Sequence, residues 1–549
     1  MAIRPRDVET GMSSFQKFGL AVAGVFYVAS VLYVHFLGPA KVEFEPGVTV
    51  LHMAHWEMAA GFREGIDEMI RRFEEVKAND GVKVRVLQTT IPRRGYLQWM
   101  ITQLVSGEPA DILENSEEGE LRDLYFTGLS PYIGKPNPFN HGTPLEGMPW
   151  KDTFIDNMEG AFDILYADYY GLGLSFFTKR LHVNLDLVEK ATGSRRMPED
   201  FTEWMEICRQ LKEYGERIGE PVIPIGVEGM RRSTLNDLFY EYFSQLNGNL
   251  QDEYSRFCDG FVRQVDMIKC LKKKGEEADR LLAVMDLLRE MGQYFMKGFV
   301  TADEAQTTYL FHQGMVAFFP ATSAESYSLK ANSDFDLGIV PFPPIGYRHK
   351  YSKYFTGRTT ESGVKVEGPF GIPKATRHFD LALELLQFMT SWEIDQMVMD
   401  HCKWAPGVKQ AEYTDFMKAF QPYMGGNLRI WDPYRFIWDN RAHRKKNEVM
   451  EEIIQKNIPN PQEFFLRQFH EYSHYIVEEI QERLEDNDRA NLMREGRRSQ
   501  LMVGLGQTDL APQDRVRVNL RKELVQEDFA ERIPENFVYA AMQKELRDF

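Results

Sequence analysis

The sequence predicts an α/β protein built on more than one core. Three observations carry that expectation. Between Val48 and Leu113 the apolar residues switch repeatedly from the period of a strand to that of a helix and back. The chain has 549 residues, too many for a single hydrophobic core. Its hydrophobic share of 43% and charged share of 27% are those of an ordinary globular protein, so apolar material suffices to fill the cores.

Val48 to Met53 (VTVLHM) is a short β-rich run that ends in His55-Trp56-Glu57. Phe62, Ile66, Met69, Ile70, Phe73 and Val76 then recur at helical spacing. Val82 to Val86 alternates apolar and charged residues as a strand does, Leu97, Met100, Ile101, Leu104 and Val105 return to the helical period, and Ala110 to Leu113 closes a βαβαβ unit. Helices cover both faces of such a parallel unit, which leaves its functional groups on the loops at the carboxyl ends of the strands. The loops concerned are His55-Trp56-Glu57 and Glu114-Asn115-Ser116. Neither holds a Gly-rich phosphate cradle or a nucleophile elbow, so nucleotide binding and serine hydrolysis lose ground. They offer an aromatic plate and hydrogen-bonding side chains.

Ahead of this unit, Phe18 to Leu37 is almost wholly apolar, and as a helix it would span about 30 Å, the thickness of a bilayer core. Arg4, Arg6 and Lys17 precede it and Glu43 and Glu45 follow, so the positive-inside bias puts the N-terminus in the cytoplasm and the body outside. The run is longer than the roughly 7 to 15 apolar residues of a signal-peptide core, and Gly38-Pro39-Ala40 is a poor cleavage site, so a retained anchor is expected. No Cys precedes Cys208, which excludes lipoprotein attachment, and Lys41 to Gly47 forms a short linker.

The formal charge of −17 argues against a nucleic-acid partner, because phosphate binding needs a basic face. The compact basic run Arg441 to Lys446 reads as a solvated helix face. Cys208, Cys258, Cys270 and Cys402 show no metal-site spacing, and a Cys258 to Cys270 bridge and isolated buried thiols both stay open. Pro198 to Leu211 predicts an amphipathic helix, and Val222 to Val227 predicts a strand ending in Glu228-Gly229-Met230-Arg231-Arg232. Leu238 to Leu246 and Leu281 to Met296 read as core helices, and Tyr347 to Val366 as a long surface loop.

At the His55-Trp56-Glu57 loop the sequence resembles the extracellular solute-binding proteins of ABC importers, in particular the carbohydrate-type, maltose-binding-protein-like group. Further segments extend the resemblance. Gly171 to Leu187 is similar to the family's crossing strand and its Tyr-Asn-Lys-Asp-Leu segment, here Val183-Asn184-Leu185-Asp186-Leu187. Pro198 to Leu211 is similar to the following Pro-x-Thr-Trp-Asp-Glu-Phe helix, and Phe311 to Ser323 is a loose version of the Gly-Lys-Ala-Ala-Met strand and its small-residue loop. Phe335 to Pro341 and Pro369 to Asp400 complete a pattern that covers roughly residues 48 to 440.

The resemblance implies a two-lobed periplasmic-binding-protein fold with hinge crossings near Gly173 to Thr178, Glu367 to Ile372 and Lys403 to Val408. Residues 1–17 would form a cytoplasmic tail and 18–38 a transmembrane anchor or, in the rival reading, a cleaved signal. Residues 47–175 and 371–404 would form lobe one, 176–370 and 405–445 lobe two, and 446–549 a helical C-terminal extension. Such lobes close by hinge bending, because contacts from both lobes to one ligand exist together only in the closed state. The expected ligand is a small solute of the sugar or oligosaccharide class, and the expected partner is an ABC permease that reads the closed form.

A sugar is recognised by ring faces on aromatic plates and by hydroxyls paired with polar side chains. Candidate ligand-binding residues are Trp56, Glu57, Asn115 and Ser116 from lobe one, and Glu228, Arg231, Thr322 and Ser323 from lobe two. Trp404 and Trp431 could supply further plates. Where the family often carries Gly-Pro-Trp, this chain has Phe319-Pro320-Ala321, so one sugar-facing aromatic is missing. The core shows no motif for chemistry, so a binder without cofactor or metal is expected rather than an enzyme.

Two other readings stand beside this one. A tethered sensor or docking protein would use the same bilobal closure together with the long charged tail. A zinc metallopeptidase would use His470-Glu471-Tyr472-Ser473-His474, an HExxH that on a helix puts both His on one face with Glu471 as general base. Against the peptidase, the motif lies outside the resemblance in a segment that reads as a solvated helix with one apolar stripe, and it offers no single third ligand.

Overall fold

The computed structural model describes residues 46–115, 120–163, 168–176, 178–230, 232–250, 264–361, 366–367, 369–427, 440–507 and 533–548. The opening βαβαβ unit forms as its periodicity demands. Strand β1 (Thr49–His55) buries Leu51 and Met53. Helix α1 (Phe62–Asn79) buries Phe62, Ile66, Met69, Ile70 and Phe73 along one stripe. It starts after Gly61, whose φ of 85° and closeness to His401 admit no side chain: a Cβ would lie 2.0 Å from the His401 carbonyl oxygen. Strand β2 (Val84–Thr90), helix α2 (Arg93–Ser106) and strand β3 (Ile112–Glu114) complete the unit. Helix α2 turns a different face inward from the one its aliphatic residues predict. Tyr96, Met100 and Leu104 are buried while Leu97 and Val105 are exposed, because the Tyr96 hydroxyl finds the Ala54 carbonyl at 3.0 Å.

A second set of elements follows: β4 (Ser175–Phe176), β5 (Lys179–Asn184), α3 (Phe201–Ile218), β6 (Ile223–Ile225), α4 (Ser233–Asn247), α5 (Glu276–Gly292), β7 (Val316–Thr322), α6 (Ser323–Ala331) and β8 (Leu337–Val340). Helix α3 is capped by the Asp200 carboxylate on the Glu203 amide and buries Phe201, Trp204, Met205, Cys208 and Leu211, the expected stripe. The expected loop from Tyr347 onward is not all surface. Tyr351 and Tyr354 join the core here, and the Tyr351 hydroxyl donates to Asp286.

The chain then returns through β9 (Val366–Glu367), β10 (Phe370–Gly371), α7 (Phe379–Met389) and α8 (Trp392–Cys402). The first sheet has the order β10-β3-β1-β2, with β1 parallel to β2 and β3 and with β10 antiparallel to β3. The second has the order β8-β5-β7-β6, in which only β6 and β7 pair in parallel. Each sheet has its own core. One runs through Leu51, Phe73, Trp150, Phe370 and Trp404, the other through Leu181, Trp204, Phe239, Leu281 and Phe318.

Helices α9 (Asn440–Gln455), α10 (Pro461–Gln507) and α11 (Ile533–Arg547) form the C-terminal part. At 47 residues α10 is about 70 Å long. Its first half carries one packed stripe: Phe465, Phe469, Tyr472, Ile476 and Ile480 join the second core with Met542 and Leu546 of α11, while Arg467, Glu471 and Glu478 on the other side are exposed. The basic run at the start of α9 needs a correction too. Arg444 and Lys445 are exposed, but Lys446 is 0% exposed, its ammonium 4.1 Å from the Phe239 ring centre.

Phe18 to Leu37 lies outside the described residues, and among the described residues no helix is long and apolar enough to cross a membrane. Cys208 and Cys402 are free, buried thiols; Cys270 is buried, and Cys258 is outside the described residues.

Candidate functional site

Parallel pairing of β1 with β3 brings their carboxyl ends side by side, with Ala54 opposite Leu113. His55-Trp56-Glu57 therefore meets Glu114-Asn115, as the strand-end rule requires. The Trp56 amide donates to Glu114 Oε2 at 2.9 Å. Glu57 and Glu114 share a hydrogen bond, and both are buried. Burial pushes the Glu57 carboxyl above the usual range, opposed by its bond to Glu114 and by the nearby Arg93 guanidinium. Two carboxyls in contact away from water hold one proton between them more readily than two charges.

Trp56 is half-buried above this pair. Its ring stands edge-on to Tyr96 at 5.1 Å, and the exposed Arg93 guanidinium lies 5.8 Å from its centre. Trp99 extends the aromatic wall, 5.8 Å from Tyr96. Asn115 is buried, with its amide donating to the Pro369 carbonyl at 2.6 Å, so its backbone belongs to the strand-end framework. The Tyr170 hydroxyl, donating to Asp123 at 2.8 Å, backs the same corner.

Trp404 is a core residue and not an open plate. It is 1% exposed and its ring packs 5.2 Å from Phe62, so no ligand ring can lie on its face. Ser116, Arg231 and Trp431 lie outside the described residues. Glu114, Tyr96 and Arg93 were not among the expected site residues. For Glu114 a signal existed: an acid closing the buried strand Ile112–Glu114 must be partnered.

At the second sheet, β6 pairs in parallel with the first part of β7, Ile225 opposite Phe318, and the polar residues near the carboxyl ends of the two strands are engaged within the fold. Glu228 Oε1 accepts from the Ser233 amide at 2.9 Å and from the Ser233 hydroxyl at 2.5 Å, at the N-terminus of α4. Thr322 forms a capping box with Glu325 on α6. The Ser323 hydroxyl donates to the Phe176 carbonyl at 3.2 Å and accepts from the Thr178 amide at 3.3 Å, stitching β7 to the segment after β4.

Three chain segments lie together between the sheets. Strand β4 pairs with β9, Ser175 opposite Glu367. The Ser175 hydroxyl donates to the Ala405 carbonyl at 2.6 Å, and the Gly407 amide reaches the Leu174 carbonyl at 2.9 Å and Asp395 Oδ2 at 3.1 Å. Burial holds the Asp395 carboxyl well above the usual range.

The HExxH segment holds no comparable constellation. His470, Glu471 and His474 all lie on the exposed side of α10, and no group of three His, Cys, Asp or Glu able to hold a metal occurs among the described residues. Two surface cavities, about 480 and 520 Å³, lie away from the strand ends, against α1 and α8 and beside the start of α5.

By sequence the chain matches no curated protein. Several solved structures share its fold. The apo form of RafE from Streptococcus pneumoniae superposes with a TM-score of 0.54 at 14% identity, covering 78% of this chain and 98% of that one. The GacH receptor of Streptomyces glaucescens, solved unliganded and with acarbose, gives 0.51 at 13% identity over 77% and 97%. The bacterial solute receptor AcbH gives 0.53 at 14% over 78% and 99%. Residues 57–394 match the family model of bacterial extracellular solute-binding proteins, and that span is more than half of the chain. The chain therefore belongs to the bacterial extracellular solute-binding protein family.

Proposed function

We propose that the protein captures a sugar or oligosaccharide between two lobes, one on each sheet, and presents it by hinge closure to an ABC permease. The supporting observation is the convergence of Trp56, Glu57 and Glu114 at the ends of two parallel strands, an aromatic face beside two carboxyls. That set suits a sugar ring and its hydroxyls. The three connections between the sheets support closure, with lobe one on residues 47–175 and 371–404 and lobe two on 176–370 and 405–445. Fold neighbours bind sugars: RafE is seen with raffinose, and AcbH prefers β-D-galactopyranose.

In this proposal Trp56 stacks on a ring, the Glu57–Glu114 pair donates and accepts at one hydroxyl edge, and lobe two closes from the loop after β6. The apolar run Phe18 to Leu37 tethers the body to the outer face of the membrane, which its flanking charges support. The test is calorimetric titration of the full chain with a panel of mono- and oligosaccharides. Saturable binding of one sugar that is lost in Trp56→Ala is the expected result. Silence across the panel, or affinity unchanged in that variant, overturns it.

A further inference from the structure

We propose that Glu451, in the C-terminal extension, is a positioning residue for the solute site: through Arg232 it holds the loop after β6 in shape. This rests on the reading that the loop faces the solute. The loop is pressed onto its neighbours with little slack. Gly229 and Met230 both donate their amides to the Ala302 carbonyl, and a Cβ on Gly229 would lie 2.4 Å from the Phe299 oxygen. Where the loop enters α4, Arg232 takes a φ of 60°, the left-handed region that a long side chain occupies only when its surroundings impose it.

The group that imposes it is the Glu451 carboxylate. Glu451 is 6% exposed and accepts from Arg232 Nε, with a second, longer contact from Nη2 at 3.4 Å. Helix α9, which carries Glu451, is held by packing besides its contact with Arg232. Val449, Met450, Ile453 and Ile454 are buried in the second core, and Lys446 lies over Phe239 of α4. So α9 grips the loop's last residue and the helix that follows it from one rigid surface. The loop has a second anchor in Glu228 at the Ser233 amide. Glu228 lies within the span that matches the family and Glu451 lies outside it, since the match ends at residue 394. The extension thereby acquires a hold on the site that the family's common part does not contain.

The test uses the full chain, Glu451→Gln, Arg232→Gly and the double variant. Arg232→Gly accepts the left-handed backbone with no side chain to hold, so it removes the need for Glu451. Expected are faster amide exchange in Glu451→Gln confined to residues 227–233 and a sugar affinity lower by roughly three- to thirty-fold. Neither effect should appear when Glu451→Gln is added to Arg232→Gly. Unchanged exchange at 227–233, or an effect that adds fully in the double variant, overturns the proposal. If the wild-type chain binds no sugar, the proposed function falls. The exchange of the loop still decides for or against the role of Glu451.

Discussion

The two sheets end alike in sequence and differently in use. At the first, Trp56 and Glu57 follow β1, and helices α1 and α2 begin with no side-chain cap. The polar and aromatic groups there stay turned toward one another. At the second, Glu228 lies past the end of β6 and Thr322 closes β7, and both are drawn into capping α4 and α6. The first amides of a helix need acceptors, and the nearest carboxylate or hydroxyl in the loop supplies them. A polar residue at a strand's carboxyl end is therefore a ligand candidate only when the next helix does not claim it.

The comparison can be broken most sharply inside the first lobe. Trp404→Ala should destabilise the protein by about 3 to 5 kcal/mol, the cost of a large buried cavity, as read by urea denaturation. If Trp404 were instead a ligand plate, the loss would fall on sugar affinity with stability nearly intact.

Next in size is an acid response of the second sheet. His182 on β5 is held neutral by burial, its pKa lowered to about 4, with Nε2 2.8 Å from the Ser326 hydroxyl. The unfolded chain takes up a proton below about 6.5, so this contribution is full above that value and is lost as pH falls through the window toward 4. The loss should reach about 3 kcal/mol, and His182→Gln should flatten that limb in denaturation at pH 7 and pH 4.5.

Trp56→Ala and Glu228→Ala then divide the two strand ends. The first should weaken sugar binding by about 2 kcal/mol or more with little change in melting temperature. The second should lower stability by about 1 kcal/mol through the lost cap, with a smaller effect on affinity. Reversal of these two patterns would assign the ligand contacts to the second sheet.

Glu57 sharpens the contrast as a slope. Its carboxyl is raised by burial, so its contribution to stability is full below the ordinary carboxylate value and is lost as pH rises through the raised one. Glu57→Gln should remove that decline, opposite in sign to the His182 response. A slope unchanged in Glu57→Gln would show that another group titrates there.

Much of the fold was legible because it is local. The stripe of α1 and the Asp200 cap of α3 are set by residues three or four apart. The position of Trp56 and Glu57 past the end of β1 was legible for a related reason: a parallel unit exposes its strand ends wherever it occurs. What failed depended on partners far along the chain. Trp404 is a core residue because of Phe62, and Lys446 is buried because Phe239 lies beneath it. The inward face of α2 turned on the Ala54 carbonyl that Tyr96 reaches.

The sequence by itself determined the alternation of strands and helices, the two cores and the loops that can carry a ligand, because periodicity and capping act over a few residues. Only the tertiary structure decided which loop residues remain available, that Glu57 and Glu114 touch, and that the C-terminal helices share the second core. Those outcomes depend on burial and pairing between distant segments, where a polar group must find a partner once water is gone.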